Sequence, residues 1–286
     1  MRSVLKVTLV LAAAWLAGGC TALRLAYDNA DTYLHFRAQS YLDLDARGSD
    51  ELDARIDEFF AWHRRSALPQ YARVSDEAAK RVAKGLSRED VVWGYDSLVA
   101  HARQSLRYAA ERVAPLLDRL TPQQVAHMER RFADDNRKFA REYLRGSEAD
   151  RRKRRAKRWE QRLEDWVGNL SPVQAEKVRQ FSERAPLYDD LRAKDRQRMQ
   201  TEFVDMLRRR EAQKRLPDWI ANWERGRDPA YLAASERFHQ EFLALIQELD
   251  RTLAPEQRNR TVASFRNYAE DFRVLARRVR AEPPRK

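Results

Sequence analysis

Cysteine and glycine are both scarce in this chain of 286 residues, which has one cysteine, Cys20, and eight glycines. A lone cysteine excludes an intramolecular disulfide and a cysteine-rich metal site, so packing must stabilise the fold. No stretch alternates apolar and polar residues with the β-branched enrichment of a strand. Together with a charged fraction of 35%, these absences favour helix over sheet. The sequence therefore predicts an all-α protein.

Signatures of catalysis are missing too. The five histidines are far apart, and none forms a His-Glu-x-x-His pair or another metal-ligand spacing. No nucleophile elbow, phosphate-binding glycine loop or dinucleotide fingerprint occurs. We therefore predict that the protein is not an enzyme and uses neither a metal nor a cofactor. His63 lies on an apolar helical face, which is typical of a partly buried structural histidine, and a catalytic base is the alternative. Acid–base chemistry by a carboxylate pair is a separate question that only geometry decides.

The N-terminus has the pattern of a lipoprotein signal. Arg2 and Lys6 form a basic segment, residues 7–16 are apolar, and small residues precede Cys20. The apolar run is shorter than the roughly 20 residues that a transmembrane helix needs. We predict that residues 1–19 are removed and that Cys20 receives lipid. An ordinary signal peptide and an uncut N-terminal anchor are the alternatives.

Lipid on Cys20 would fix the location of the mature chain, residues 20–286. Several acyl chains anchor a bacterial lipoprotein stably, because each buried methylene contributes about 0.8 kcal/mol. Thr21 rather than an aspartate follows the cysteine, which resembles lipoproteins sorted to the outer membrane. We predict a protein on the periplasmic face of the cell outer membrane, with the membrane as its partner through the lipid on Cys20.

The chain is strongly basic, with a formal charge of +12. Nucleic acid is the usual partner of such a charge, but the predicted location excludes it and favours an anionic envelope surface. The densest group of cations is the candidate anion-binding site. It comprises Arg151, Arg152, Lys153, Arg154, Arg155, Lys157 and Arg158. A solvated helix face is the alternative.

Apolar residues recur at helical spacing through most of the chain. The pattern predicts about eight to ten helices in an elongated antiparallel bundle, either one unit or two packed subunits near residues 20–146 and 147–286. Residues 48–50 are expected to break one helix and cap the next. Gly85 is expected to end a helix, and Pro217 to begin one.

A pentapeptide pattern, Leu-x-Pro-x-Gln, occurs at residues 120–124, 170–174 and 253–257. It has the chemistry of a helix start, with Thr121 or Ser171 as N-cap, proline at the first helical position, and glutamine completing a capping box. The third copy has Ala254 at the N-cap position and should start less firmly, by roughly 1 kcal/mol.

Two resemblances follow from these motifs. The pentapeptides resemble the Leu-Thr-x-x-Gln motif of small periplasmic chaperones of the Spy/CpxP type, which implies a chaperone-like or envelope-stress role toward unfolded protein segments. The alternative to this chaperone resemblance is that the three motifs look alike only because each is a well-capped helix start. Four further segments are similar to an uncharacterised family of bacterial lipoproteins, domain of unknown function 6279, which implies a lipid anchor and a helical fold but no activity. They read Leu-Ala-Tyr-Asp-Asn-Ala-Asp (25–31), Tyr-Leu-Asp-Leu-Asp (41–45), Trp-His-Arg (62–64) and Leu-Pro-x-Tyr (68–71).

The expected function is therefore that of a lipid-anchored binding protein with a chaperone-like or envelope-stress role. The alternative is an envelope scaffold that binds peptidoglycan, lipopolysaccharide or a protein partner.

Overall fold

The computed structural model describes residues 18–278, with side chains from residue 22 onward. Over that range the protein is helical and has no strand, which confirms the all-α prediction. Its twelve α-helices are α1 (Gly18–Asp28), α2 (Ala30–Leu42), α3 (Ala46–Trp62), α4 (Leu68–Lys84), α5 (Arg88–Leu117), α6 (Pro122–Phe139), α7 (Glu148–Val167), α8 (Pro172–Arg184), α9 (Asp189–Arg208), α10 (Ala212–Ala221), α11 (Pro229–Asp250) and α12 (Pro255–Arg277).

Two π-helical turns extend this set, at His63–Ala67 and Ala140–Leu144. The first joins α3 to α4 without a break, so residues 18–278 form eleven separate helical rods. No helix in this part of the chain combines the length and the apolar character that crossing a bilayer requires.

Side-chain caps decide where the helices begin and end. Asp45 is the N-cap of α3 and accepts a hydrogen bond of 2.8 Å from the backbone N–H of Gly48. The expected break at residues 48–50 is therefore wrong, because Gly48 lies in the first turn of α3. Gly85 ends α4 with a φ of 88°, as predicted, since glycine alone adopts this conformation without strain.

The start of α10 is set from a distant part of the chain. The carboxylate of Asp118 accepts a bond of 2.6 Å from the N–H of Ala212, the first residue of the helix. Pro217 consequently lies inside α10 rather than at its start, so that prediction is wrong. The N–H groups of the first turn need an acceptor, and tertiary packing supplies it.

Helices from both halves of the chain share the main hydrophobic core. Buried side chains of α2, α5, α6, α9 and α10 form this first core, and those of α8 and α11 form a second core against α7. The helices α4 and α12 pack along each other and bury a third, smaller cluster. The predicted division near residues 146 and 147 stays a prediction.

Candidate functional site

The basic run of α7 lies against the C-terminal end of α8. Arg155 is 6% exposed and donates to the backbone carbonyls of Ser182 at 2.5 Å, Ala185 at 2.7 Å and Pro186 at 2.8 Å. Arg152 donates to the Ser182 and Ala185 carbonyls as well. The last carbonyls of a helix have no partner within it, and cations there interact favourably with the helix dipole. These two arginines thus cap α8.

Burial also affects the ionisation of Arg155. It lowers the pKa of the guanidinium to about 10, with the neighbouring charge of Arg152 acting in the same direction. Both terminal nitrogens of this guanidinium donate to acceptors of its own chain, and its Nε is buried away from solvent. Arg155 is therefore a structural cation, with little capacity left for an external anion.

The rest of the basic run divides into bonded and free cations. Arg151 pairs with Asp190 at 2.9 Å, Arg154 donates to the Arg145 carbonyl, and Arg158 lies over the ring of Tyr143. Within the described part of the chain, Lys153 and Lys157 are exposed and show no hydrogen bond or ion pair. The predicted anion-binding role is untested, and only these two lysines point freely into solvent.

The Leu-x-Pro-x-Gln motifs serve as helix starts. Thr121 caps α6 and Ser171 caps α8, each in a capping box with the glutamine three residues later. At the third copy Ala254 offers no side-chain oxygen, so only the reverse bond remains, in which Gln257 accepts from the Ala254 N–H at 3.1 Å.

Two of the motif glutamines also bond to each other across the fold. The side-chain N–H₂ of Gln174 donates to the Gln257 oxygen at 2.8 Å and to the Thr252 carbonyl at 3.0 Å. The side-chain N–H₂ of Gln257 makes the reciprocal bonds, to the Gln174 oxygen at 3.0 Å and to the Asn169 carbonyl at 2.9 Å. Each glutamine thus reaches the carbonyl two residues before the other helix's N-cap. Gln174 is 1% exposed, so this pair fixes the starts of α8 and α12 against one another.

A cluster of aromatic rings surrounds the first π-helical turn. The hydroxyl of Tyr27 lies 2.9 Å from Nδ1 of His63, and the ring of Tyr71 packs edge-on against the same histidine. Tyr27, His63 and Tyr71 belong to three of the four segments that carry the lipoprotein-family resemblance. The guanidinium of Arg64 lies over the Tyr27 ring, and its Nε is buried without a hydrogen-bond partner.

Burial dominates the electrostatics of this cluster. It lowers the pKa of His63 to about 4, with the Arg64 charge adding to the effect, and it raises the pKa of Tyr27. Both groups are therefore neutral at physiological pH. A neutral, ring-enclosed histidine agrees with the structural role that the sequence indicated.

The clearest binding surface is a groove of about 520 Å³, which we call the apolar groove. It is lined by α4, α5, α7, α11 and α12, with Gln174 of α8. Its size falls within the range of small-molecule and cofactor sites. Six aromatic side chains line it: Trp93, Tyr95, Trp159, Trp166, Phe242 and Phe265. It opens to solvent at Leu98, which is 69% exposed, and at Trp166, which is 37% exposed.

Most charged side chains in the lining are already paired. Arg81 donates to Asp90 at 2.7 Å and lies 4.1 Å from the centre of the Trp93 ring. Asp250 accepts from Arg258 and from the backbone N–H of Leu86. These bonds hold the wall rigid and leave the interior apolar.

Two charged side chains of α7, Arg162 and Asp165, also line the groove and are exposed. Neither forms a hydrogen bond or an ion pair with any described residue. The Arg162 guanidinium lies 5.4 Å from the Trp159 ring. The edge of the groove therefore offers one free cation and one free anion.

Gly94 marks the groove as an open site. It lies inside the long helix α5, where glycine costs about 1 kcal/mol relative to alanine. Its φ is not positive, and a Cβ added there would meet nothing within 4 Å. Neither backbone conformation nor close packing requires this glycine, so its effect is to widen the groove.

A second cavity, of about 650 Å³, lies over the first core between α5, α6, α9 and α10. Within the described part of the chain, the large apolar side chains that line this cavity are all buried or half-buried. It is a crevice in the core surface without an apolar rim, and we do not consider it the binding site.

Sequence reasoning assigned the α7 aromatics to the core and missed the groove. Trp159 does pack on Phe242, at 5.0 Å between ring centres, and Trp166 packs on Phe265 at 4.8 Å. The same rings also present a face to the groove. The signal available in the sequence was Gly94 beside Trp93 and Tyr95 in a helical segment. Cys20 lies among the residues whose side chains are outside the described part of the chain, so its lipidation stays a prediction.

Comparison with known proteins gives one match. A family model described as a family of unknown function (DUF6279) covers residues 40–231. That range includes three of the four segments named above and the groove residues of α4, α5 and α7, but not those of α11 and α12. No curated protein and no solved structure matches the chain. Because the family model covers more than half of its length, the chain belongs to the family of unknown function DUF6279.

Proposed function

We propose that this protein is a lipid-anchored, non-enzymatic binding protein of the cell envelope, held through Cys20 on the periplasmic face of the outer membrane. Its role is chaperone-like: it shelters apolar segments of unfolded client proteins in the apolar groove. The observation that carries the proposal is the groove itself, with its six aromatic rings and its exposed rim. Large exposed apolar patches on soluble proteins mark interaction sites.

The expected affinity is modest. Fully burying one large apolar side chain contributes about 1.5–3 kcal/mol, whereas association costs at least about 4 kcal/mol in lost freedom of motion. Three or four client side chains in the groove therefore leave at most about 8 kcal/mol of net binding free energy, which makes the dissociation constant micromolar at the tightest. Weak and rapidly reversible binding suits a protein that releases its clients without an energy source.

Gly94 gives a direct test. Gly94→Trp places an indole into open space and should block the groove, whereas the matched control Gly94→Ala adds one methyl group that meets nothing. The assay is suppression of aggregation of several unfolded clients at equimolar ratio, using the mature chain with Cys20→Ala. Wild type and Gly94→Ala should protect the clients, and Gly94→Trp should not. No protection by wild type, or full protection by Gly94→Trp, would refute the proposal.

An envelope scaffold is the second candidate, and the two free lysines of α7 favour it. Lys153 and Lys157 would attract an anionic surface weakly and with strong salt dependence. Pull-down from crosslinked cells separates the two functions, because a scaffold yields one saturable partner and a chaperone yields many clients. Lys153→Gln with Lys157→Gln should abolish binding to anionic vesicles at low salt only if these lysines form the contact.

A further inference from the structure

We infer that the occupant of the apolar groove is the apolar face of an amphipathic α-helix that carries an acidic side chain opposite Arg162. This inference rests on the proposed function and narrows the client to one class of segment. Its arguments are the hydrogen-bonding capacity of the groove wall, its dimensions and the free charges on its rim.

The groove wall offers almost no backbone hydrogen bonds. Most of its lining residues lie in helices, whose interior N–H and C=O groups are bonded within each helix, and two of its three loop residues, Leu86 and Leu253, donate their N–H groups to Asp250. An extended client strand would bring N–H and C=O groups into the groove with nothing to pair them, and each unpaired buried group is costly. A client helix satisfies its own backbone and presents only side chains.

The dimensions of the groove match two turns of a helix. On α5 the lining runs from Asp90 through Gly94 to Leu98, which spans about 12 Å, or roughly two turns, at the rise of an α-helix. A client helix with apolar residues at i, i+3, i+4 and i+7 presents a stripe of the same length. Gly94 has no side chain, so it provides a recess for a client side chain at the middle of this stripe.

The rim adds a preference for charge. Arg162 and Asp165 lie three positions apart on α7, and neither has a hydrogen-bond or ion-pair partner among residues 22–278. An amphipathic helix places charged residues along both borders of its apolar stripe. A client glutamate opposite Arg162, with a lysine one turn away near Asp165, would complement both charges.

The test uses fluorescein-labelled peptides of 18 residues and the mature chain with Cys20→Ala. The first peptide has leucines at helical spacing with glutamates on one border of the stripe. The second is the same peptide interrupted by two prolines, and the third has lysines in place of the glutamates. Fluorescence anisotropy should show the first peptide binding more than about tenfold more tightly than the proline-interrupted one.

Two groove variants locate the binding. Gly94→Trp should reduce binding at least about tenfold while Gly94→Ala does not. Leu98→Glu, at an exposed position that tolerates substitution, serves as a second blocking variant. Arg162→Glu should weaken binding of the glutamate peptide about threefold to fivefold and strengthen binding of the lysine peptide. Lys194→Glu, at an exposed position of α9 outside the groove, is the matched charge control and should change neither.

The outcomes separate this inference from the proposed function. Equal binding of the helical and proline-interrupted peptides, with client protection intact, overturns the helix inference and leaves the chaperone-like role standing. Absence of both peptide binding and client protection overturns both. Binding of palmitate or a lysophospholipid that is lost in Gly94→Trp, with no binding of the helical peptide, makes the groove an acyl-chain site and overturns the inference.

Discussion

Arg155 provides the sharpest test of how the basic run works. Arg155→Met keeps the length and helix propensity of the side chain but removes three hydrogen bonds to carbonyls at the end of α8. Each bond to a charged donor contributes about 1.5–3 kcal/mol, or roughly 5–9 kcal/mol together. Against this, burial lowers the pKa of Arg155 from 12.5 to about 10, a cost of about 3 kcal/mol. The substitution should therefore lower the free energy of unfolding by about 2–6 kcal/mol.

The lower part of that range is favoured by Arg152, which donates to two of the same carbonyls and can take over part of the cap. The assay is urea unfolding of the mature chain at pH 7, monitored by circular dichroism. Hydrogen exchange should lose protection first in the last turn of α8, because that is where the carbonyls become unpaired.

Lys153→Met is the matched control. It lies on the same helix, two residues before Arg155, and is exposed. Its effect should stay within about 0.5 kcal/mol. If Arg155→Met and Lys153→Met destabilise the protein equally, the basic run is a solvated helix face and Arg155 is not a cap.

Two further predictions concern other buried polar groups. Burial lowers the pKa of folded His63 to about 4, so only the unfolded chain gains a proton at this residue as the pH falls below about 6.5. The free energy of unfolding should therefore drop by about 3 kcal/mol by pH 4. His63→Phe should flatten that part of a stability-versus-pH profile, and an unchanged slope would contradict the assignment. Gln174→Leu removes a hydrogen-bond partner from the Thr252 carbonyl and from Gln257, so it should lower the free energy of unfolding in urea by about 2–4 kcal/mol. The control Gln124→Leu, at the less buried first motif, should cost clearly less. Equal losses would count against the paired arrangement.

The pentapeptide motifs illustrate how one signal can have a local and a distant role. Capping at Thr121 and Ser171 was predictable, because the N-cap and the glutamine lie three residues apart and bond to each other's backbone. The second use of Gln174 was not predictable, because Gln257 lies 83 positions later. This arrangement accounts for the Gln174 and Gln257 side chains within the fold. Gln174 also lines the apolar groove, where it belongs to the wall and its hydrogen bonds are used within the fold.

The sequence by itself determined the class of fold and several helix boundaries. Helical periodicity, the shortage of glycine and local caps such as Gly85 depend on residues within one turn of each other, so they can be read along the chain. The same holds for the lipobox pattern around Cys20, which is a matter of residue order alone.

Tertiary structure decided everything that depends on distant partners. Asp118 accepts the hydrogen bond that starts α10, although it lies 94 positions earlier in the chain. Pro217 is therefore not the first residue of that helix, although its local sequence predicted that position. Arg155 belongs to the end of α8 because folding brings the carbonyl of Ser182 within 2.5 Å, and a run of cations in a sequence does not reveal its acceptors. The apolar groove exists only where helices from distant parts of the chain meet around Gly94. A cavity is a property of packing, and hydrophobic periodicity predicts which residues avoid water but not where the helices leave a space.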